Sequence, residues 1–201
     1  MPKIGMEPLR RQQLIQATID VVAEVGLQGA TINLISGKAG LSSGIISHYF
    51  GGKQGLIEAS VRHLLDQLKD SLLSQVSHGN VSPTDRLMAI IDSNFSPFQR
   101  SDSATKTWLC FWAQAMHDNE LRRLQNVNSR RLVSNLRFSL KALMEREKAE
   151  QIAQYSAALI DGFWLRSVLS ESTAQKFDQA SRFCKQYILD MIEQHGAANH
   201  V

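Results

Sequence analysis

The chain has 201 residues, 43% hydrophobic and 20% charged, with a formal net charge of +3. That length allows one large or two small domains with a real core, and the composition is that of an ordinary globular protein. A total charge this small cannot by itself argue for a nucleic-acid partner, and no apolar run approaches the length of a membrane span. The first residues, MPKIGMEPLRRQQ, contain no apolar signal core, so a cytoplasmic protein is expected. The two cysteines, Cys110 and Cys184, lie in helical apolar patterns without paired spacing and read as reduced core thiols.

Helical periodicity runs along nearly the whole chain and no alternating β-branched run competes with it, so an all-α fold of about nine helices is expected. Pro8 opens the first helix, whose inward stripe is Leu14, Thr18, Val21, Val22 and Val25, and Gly26 ends it. Thr31 caps a second helix with Ile32, Ile35 and Ala39 inside. Gly40 makes a turn, and Ser42 or Ser43 caps a third helix that closes on Tyr49-Phe50. A long helix follows from Lys53, with Ile57, Val61, Leu64, Leu65, Leu68 and Leu72 in its stripe and Val76 near its end. The segment 77–83, SHGNVSP, is the best boundary after it, and Ser82 with Pro83 opens the next helix, which Ser96-Pro97 stops. Two helices then divide near His117–Asn119, and two more span roughly 147–169 and 175–192. The polar tail after His195 is expected to fray.

The stretch Thr31–Phe50, TINLISGKAGLSSGIISHYF, carries the clearest functional signal. Two short helices joined at Gly40, with the small Ser36 at their crossing, have the form of a helix-turn-helix. Ile35, Ala39, Leu41, Ile46 and Tyr49 face inward. Ser43, Gly44, Ile45, Ser47 and His48 face outward, where short side chains let a helix approach base edges. Thr31 and Lys53 begin neighbouring helices, whose free N–H groups favour phosphate. Residues 1–55 hold five Lys or Arg against three acids, a modest basic bias. A helical corner that only packs has the same spacing, so both readings stay open on residues alone.

The segment Ala39–Leu56, AGLSSGIISHYFGGKQGL, resembles the DNA-binding domain of TetR-family transcriptional regulators, through Gly40, Ser42, Gly44, Tyr49, Phe50 and Lys53. WLCFWAQA at Trp108–Ala115 and ALIDGFWLR at Ala158–Arg166 extend the resemblance over the whole chain. SGIISHYF, NSRRLVSN and WLCFWAQAMH are more narrowly similar to the family's repressors of the choline-to-glycine-betaine pathway. The resemblance implies a DNA-binding domain at 1–52, a ligand-binding and dimerisation domain at 53–201, and a homodimer on a palindromic operator. It implies DNA contacts from Thr31, Ser42, Ser43, Gly44, Ile45, Ser47, His48, Tyr49 and Lys53. Ile45 and Ser47 depart from the Thr or Ser and the Tyr usual there, which shifts backbone anchoring toward Thr31, His48, Tyr49 and Lys53.

A quaternary ammonium has no N–H to donate and is held by aromatic faces and a carboxylate. Trp108, Phe111 and Trp112 in one segment, Asp161 and Trp164 in another, and Phe95 before them are the candidate effector residues, with Phe163 and Phe98 nearby. Aromatics at helical spacing are also ordinary core, and that reading stays open. Resemblance implies choline as the effector; another lipophilic or quaternary cation, as in efflux regulation, is the alternative. The long helix from Lys53 is the expected lever, and the last two helices the expected dimer interface. No catalytic motif and no metal-ligand spacing among the six histidines occurs, so neither an enzyme nor a cofactor is expected. His63 beside Asp66 and Asp70, and the pairs Arg122-Arg123 and Arg130-Arg131, read as solvated helix faces.

Overall fold

The computed structural model describes residues 6–77, 80–171 and 173–196, without the Thr173 side chain. Lys3, His78, His200, the middle of the boundary at 77–83 and the tail beyond 196 lie outside the described residues. Nine helices and no strand occur among the described residues: α1 Met6–Gly29, α2 Ile32–Ala39, α3 Gly44–Phe50, α4 Lys53–Val76, α5 Pro83–Asn94, α6 Asp102–Ala115, α7 Asn119–Leu140, α8 Arg146–Val168 and α9 Thr173–His195.

Local chemistry accounts for most of these boundaries. Gly26 takes φ 72°, ψ 169°, which ends the regular part of α1 and turns its last residues. Val25, expected inside, is therefore 50% exposed. The Thr31 hydroxyl accepts from Leu34 N at 3.2 Å and Gly40 closes α2 in the left-handed region. Ser82 and Ser101 cap α5 and α6 in the same way, with Pro83 in the first turn of α5. Ser43 stands at the start of α3, but with αR backbone it makes no side-chain cap, which corrects the expected hydroxyl cap there.

The helices form two compact units, and the division falls within α4 and α7. The first comprises the described part of 1–66 together with 101–125. Its core includes Leu14, Ala17, Val21, Val22, Ala30, Ile35, Ile46 and Leu56, and each fully buried Leu or Ile contributes about 1.5–3 kcal/mol. The second comprises 67–100 with the described part of 126–201, where α8 lies along α9 and α5 meets α9. The division expected after residue 52 differs from this one because α6 packs along α1 and brings 101–125 into the N-terminal unit.

Candidate DNA-reading face and effector groups

The short α3 has room for one inner arc only. Ile46 is fully buried, and Ile45, Tyr49 and Phe50 pack against the same core from partly buried positions. The structure thus corrects the outward placement of Ile45: its side chain supports α3 rather than standing free on the outer face. Ser42, Ser43, Gly44, Ser47 and His48 are exposed together, and Thr31 is exposed at the start of α2. Leu34, half exposed beside this group, had no counterpart in the expected set. The His48 ring lies 5.2 Å from that of Tyr49.

Two cations near α3 are engaged by protein. Arg11 Nη1 donates to the Tyr49 carbonyl oxygen at 2.6 Å, and its guanidinium lies 4.6 Å from the centre of the Phe50 ring. It thereby satisfies a terminal carbonyl of α3 and covers an aromatic face. Sequence reasoning missed Arg11, since it acts across 38 positions and no local pattern marks it. Lys53 Nζ donates to the Leu27 carbonyl oxygen at 3.3 Å, so its first task in this structure is to hold the start of α4 to the end of α1. The next residue, Gln54, donates to Asp118 at 2.8 Å in the corner between α6 and α7. At Gly55 an added Cβ would stand 2.0 Å from the Phe50 carbonyl oxygen, so only hydrogen fits there.

The candidate effector residues divide between the units. In the first, Trp108 and Phe111 are buried and Trp112 is half-buried, with Trp108 lying 5.6 Å from Phe111 and 6.2 Å from Trp112 between ring centres. Trp112 Nε1 donates to Gln125 at 3.1 Å, which fixes its ring. Phe111 lines a void of about 10 Å³ with Thr18, Val22 and Ile57, too small for an organic ligand, so its ring packs α6 onto α1 and α4. Thr107, one residue before Trp108, donates to the Ile19 carbonyl oxygen at 3.2 Å.

In the second unit Phe177 stands between Phe95 and Trp164, at 6.3 and 6.1 Å. Phe177 was not among the expected effector residues. Asp161 is exposed by surface area, yet the surrounding protein desolvates its carboxyl and pushes its pKa up to about 6. The crowding matters more for the charge, because the pKa responds to the protein packed around the carboxyl and not to the exposed area of the whole residue. Its carboxylate has no hydrogen bond or ion pair among the described residues.

Both cysteines are free. Cys184 is buried, and burial pushes its thiol up to about 12, the state of an inert core thiol. Arg122, expected on a solvated face, instead donates to the Ala115 and Met116 carbonyl oxygens and caps the end of α6. No metal-holding group of His, Cys, Asp or Glu occurs among the described residues, and no described helix is long and apolar enough to cross a membrane.

Residues 14–60 match the family "Bacterial regulatory proteins, tetR family", and residues 83–193 match "BetI-type transcriptional repressor, C-terminal". The chain belongs to the TetR family. The regulator BetI of Vibrio vulnificus is 52% identical to it over 171 residues, covering 85% of this chain and 86% of that protein. BetI of Proteus mirabilis is 49% identical over 189 residues, covering 94% of each. A transcriptional regulator of Saccharomonospora viridis, solved in complex with choline, shares the fold with a TM-score of 0.74 at 18% identity, covering 89% of this chain and 95% of that one. As a TetR-family member with a BetI-type C-terminal region, the protein is a DNA-binding transcriptional repressor and not an enzyme. The exposed row of Ser42, Ser43, Gly44, Ser47 and His48 lies within the matched helix-turn-helix region.

Proposed function

We propose that this repressor controls genes for choline uptake and oxidation, and that choline relieves the repression. The observation that carries this reading is the BetI-type region over 83–193, together with relatives of that name about 50% identical over most of the chain. The choline-bound Saccharomonospora viridis structure adds that the shared fold can accept a quaternary ammonium.

The chemistry of the residues supports the same ligand. A trimethylammonium group is bound by ring faces and by negative charge rather than by hydrogen-bond acceptors. Asp161 supplies a carboxylate without a protein partner, and the Phe95–Phe177–Trp164 cluster supplies aromatic surface in the same unit. Trp108 and Trp112 offer a second pair of rings on α6.

Two copies joined through α8 and α9 read a palindromic operator, since one helix-turn-helix covers too few bases for specificity. Tyr155, Leu165, Phe183 and Leu189 on those two helices, and Leu169 just beyond α8, leave apolar surface for the partner. Thr31, Ser42, Ser43, Gly44, Ser47 and His48 meet the DNA, with Tyr49 and Lys53 placing α3 and adding backbone contacts. Choline shifts the population away from the DNA-competent arrangement, with α4 as the lever. The protein acts in the cytoplasm, where its operator is.

The test is release of DNA taken from upstream of choline uptake and oxidation genes, titrated with choline, betaine aldehyde, glycine betaine and a bulky drug cation. Choline is expected to release it at the lowest concentration. Release by the bulky cation alone would overturn the choline reading in favour of an efflux-type regulator.

A further inference from the structure

A surface cavity in the second unit, about 520 Å³ in volume, opens between the start of α5 and the end of α7. That volume falls within the range of small-molecule sites. Its lining includes Arg86, Arg137 and Lys141 together with the ring of Phe138, and no acidic residue. Arg137 is neutralised by Glu150 at 3.0 Å. Arg86 is not neutralised. Its Nη1 donates to the Asn135 carbonyl oxygen at 2.9 Å and to the Ser139 hydroxyl at 3.0 Å, and its Nη2 donates to Asn135 Oδ1 at 3.0 Å. All three acceptors are uncharged. Burial also draws the Arg86 pKa down from its ordinary value, which marks a guanidinium that has lost part of its hydration.

A guanidinium carries five N–H groups, and three of those on Arg86 are used. The Nε–H makes none of these bonds and Nη2 makes only one, so the guanidinium keeps charged donors for the oxygens of a carboxylate. Lys141, exposed on the same cavity, makes no ion pair among the described residues. Phe138 is 70% exposed, with the Arg86 guanidinium 5.0 Å from its ring centre. Val81, Pro83 and Ala142 continue the apolar wall. A large exposed ring held under a cation, beside a second cation, is an unusual thing to leave in water.

We propose that this cavity binds a small amphiphilic carboxylate, its head on Arg86 and Lys141 and its apolar body along Phe138. The site lies on α5 and α7, and neither Asp161 nor any candidate effector ring lines it. A ligand here is an anion where the proposed effector is a cation, so the two readings fail or succeed separately.

Calorimetric titration of the full-length protein with octanoate tests this, with octanol and inorganic phosphate as the neutral and non-amphiphilic probes. Octanoate is expected to bind one per protomer, with octanol and phosphate each weaker by about tenfold or more, because neither supplies both the charge and the apolar body. Lys141→Glu, an exposed position that leaves the Arg86 hydrogen bonds in place, is expected to weaken octanoate by about tenfold or more. Arg86→Gln is expected to abolish binding, and saturating choline to leave octanoate affinity unchanged. Octanoate that fails to bind, binds Lys141→Glu as tightly as the parent, binds no better than phosphate, or is displaced by choline overturns the proposal.

Discussion

Desolvation without a partner gives Asp161 a sign that experiment can read. Its carboxyl is raised to about 6 from the ordinary 3.8, so the folded state holds the proton more tightly than the unfolded chain does. The ionised form therefore costs stability, fully above about pH 6, and the cost disappears as pH falls toward 4. Asp161→Asn is expected to raise the melting temperature at pH 7.5, with the gain shrinking to nothing near pH 4. If a cation sits against the carboxylate, the same variant will need far more choline to release DNA, and the parent's response will weaken below about pH 6. A melting temperature that does not change with the substitution at pH 7.5 would show that the carboxyl is not desolvated. The residues legible in advance were those whose partners are near in sequence. Thr31 and Ser82 cap helices beginning at the next residue, and the hydroxyl preference is a local matter. Arg11 escaped because its acceptor lies on another helix, and Ile45 was misplaced because outer and inner positions on a seven-residue helix differ by one step.

Among the elements, the junction of α3 and α4 has the least tolerance. Gly51 and Gly52 carry positive φ and make the turn, but Gly55 is constrained for another reason: the Phe50 carbonyl occupies the space a side chain would take. Gly55→Ala is expected to destabilise the protein by about 1–3 kcal/mol and to weaken operator binding, measured by thermal melting and DNA titration. Gly162→Ala is the control, because nothing lies within 4 Å of its Cβ position. Equal melting of the two variants would refute the close approach. Helix extents were legible from periodicity because an amphipathic stripe depends on spacing alone. A stripe does not name its partner, and so the docking of α6 on α1 through Thr107 and Ile19 was not visible.

At the scale of the whole molecule, α8 and α9 bury one face against each other and leave another apolar. Phe177, Ala180, Cys184 and Ile188 fill the inner side of α9, while Phe183 and Leu189 stay exposed on the same helix, as does Leu169 just beyond α8. The sequence marked these two helices as the expected dimer interface but did not single out Phe183 and Leu189, which stand one residue away from the buried Cys184 and Ile188. A double substitution, Leu169→Lys with Phe183→Glu, is expected to give a monomer in sedimentation and to lose palindrome-specific binding while the helical circular dichroism remains. A dimer that persists in the double variant would place the interface elsewhere.

Consecutive residues at the start of α4 are attached in three directions: Lys53 to the end of α1, Gln54 to the corner before α7, and Gly55 against the last turn of α3. That first turn has no freedom of its own, so α3 cannot tilt on its support without shifting three neighbours. In the proposed dimer, induction then changes the distance between two rigid readers and leaves each reader's angle to its own half-site intact. Operators altered in half-site spacing should differ in how readily the inducer releases them, whereas those altered in base sequence should differ only in how tightly they are held.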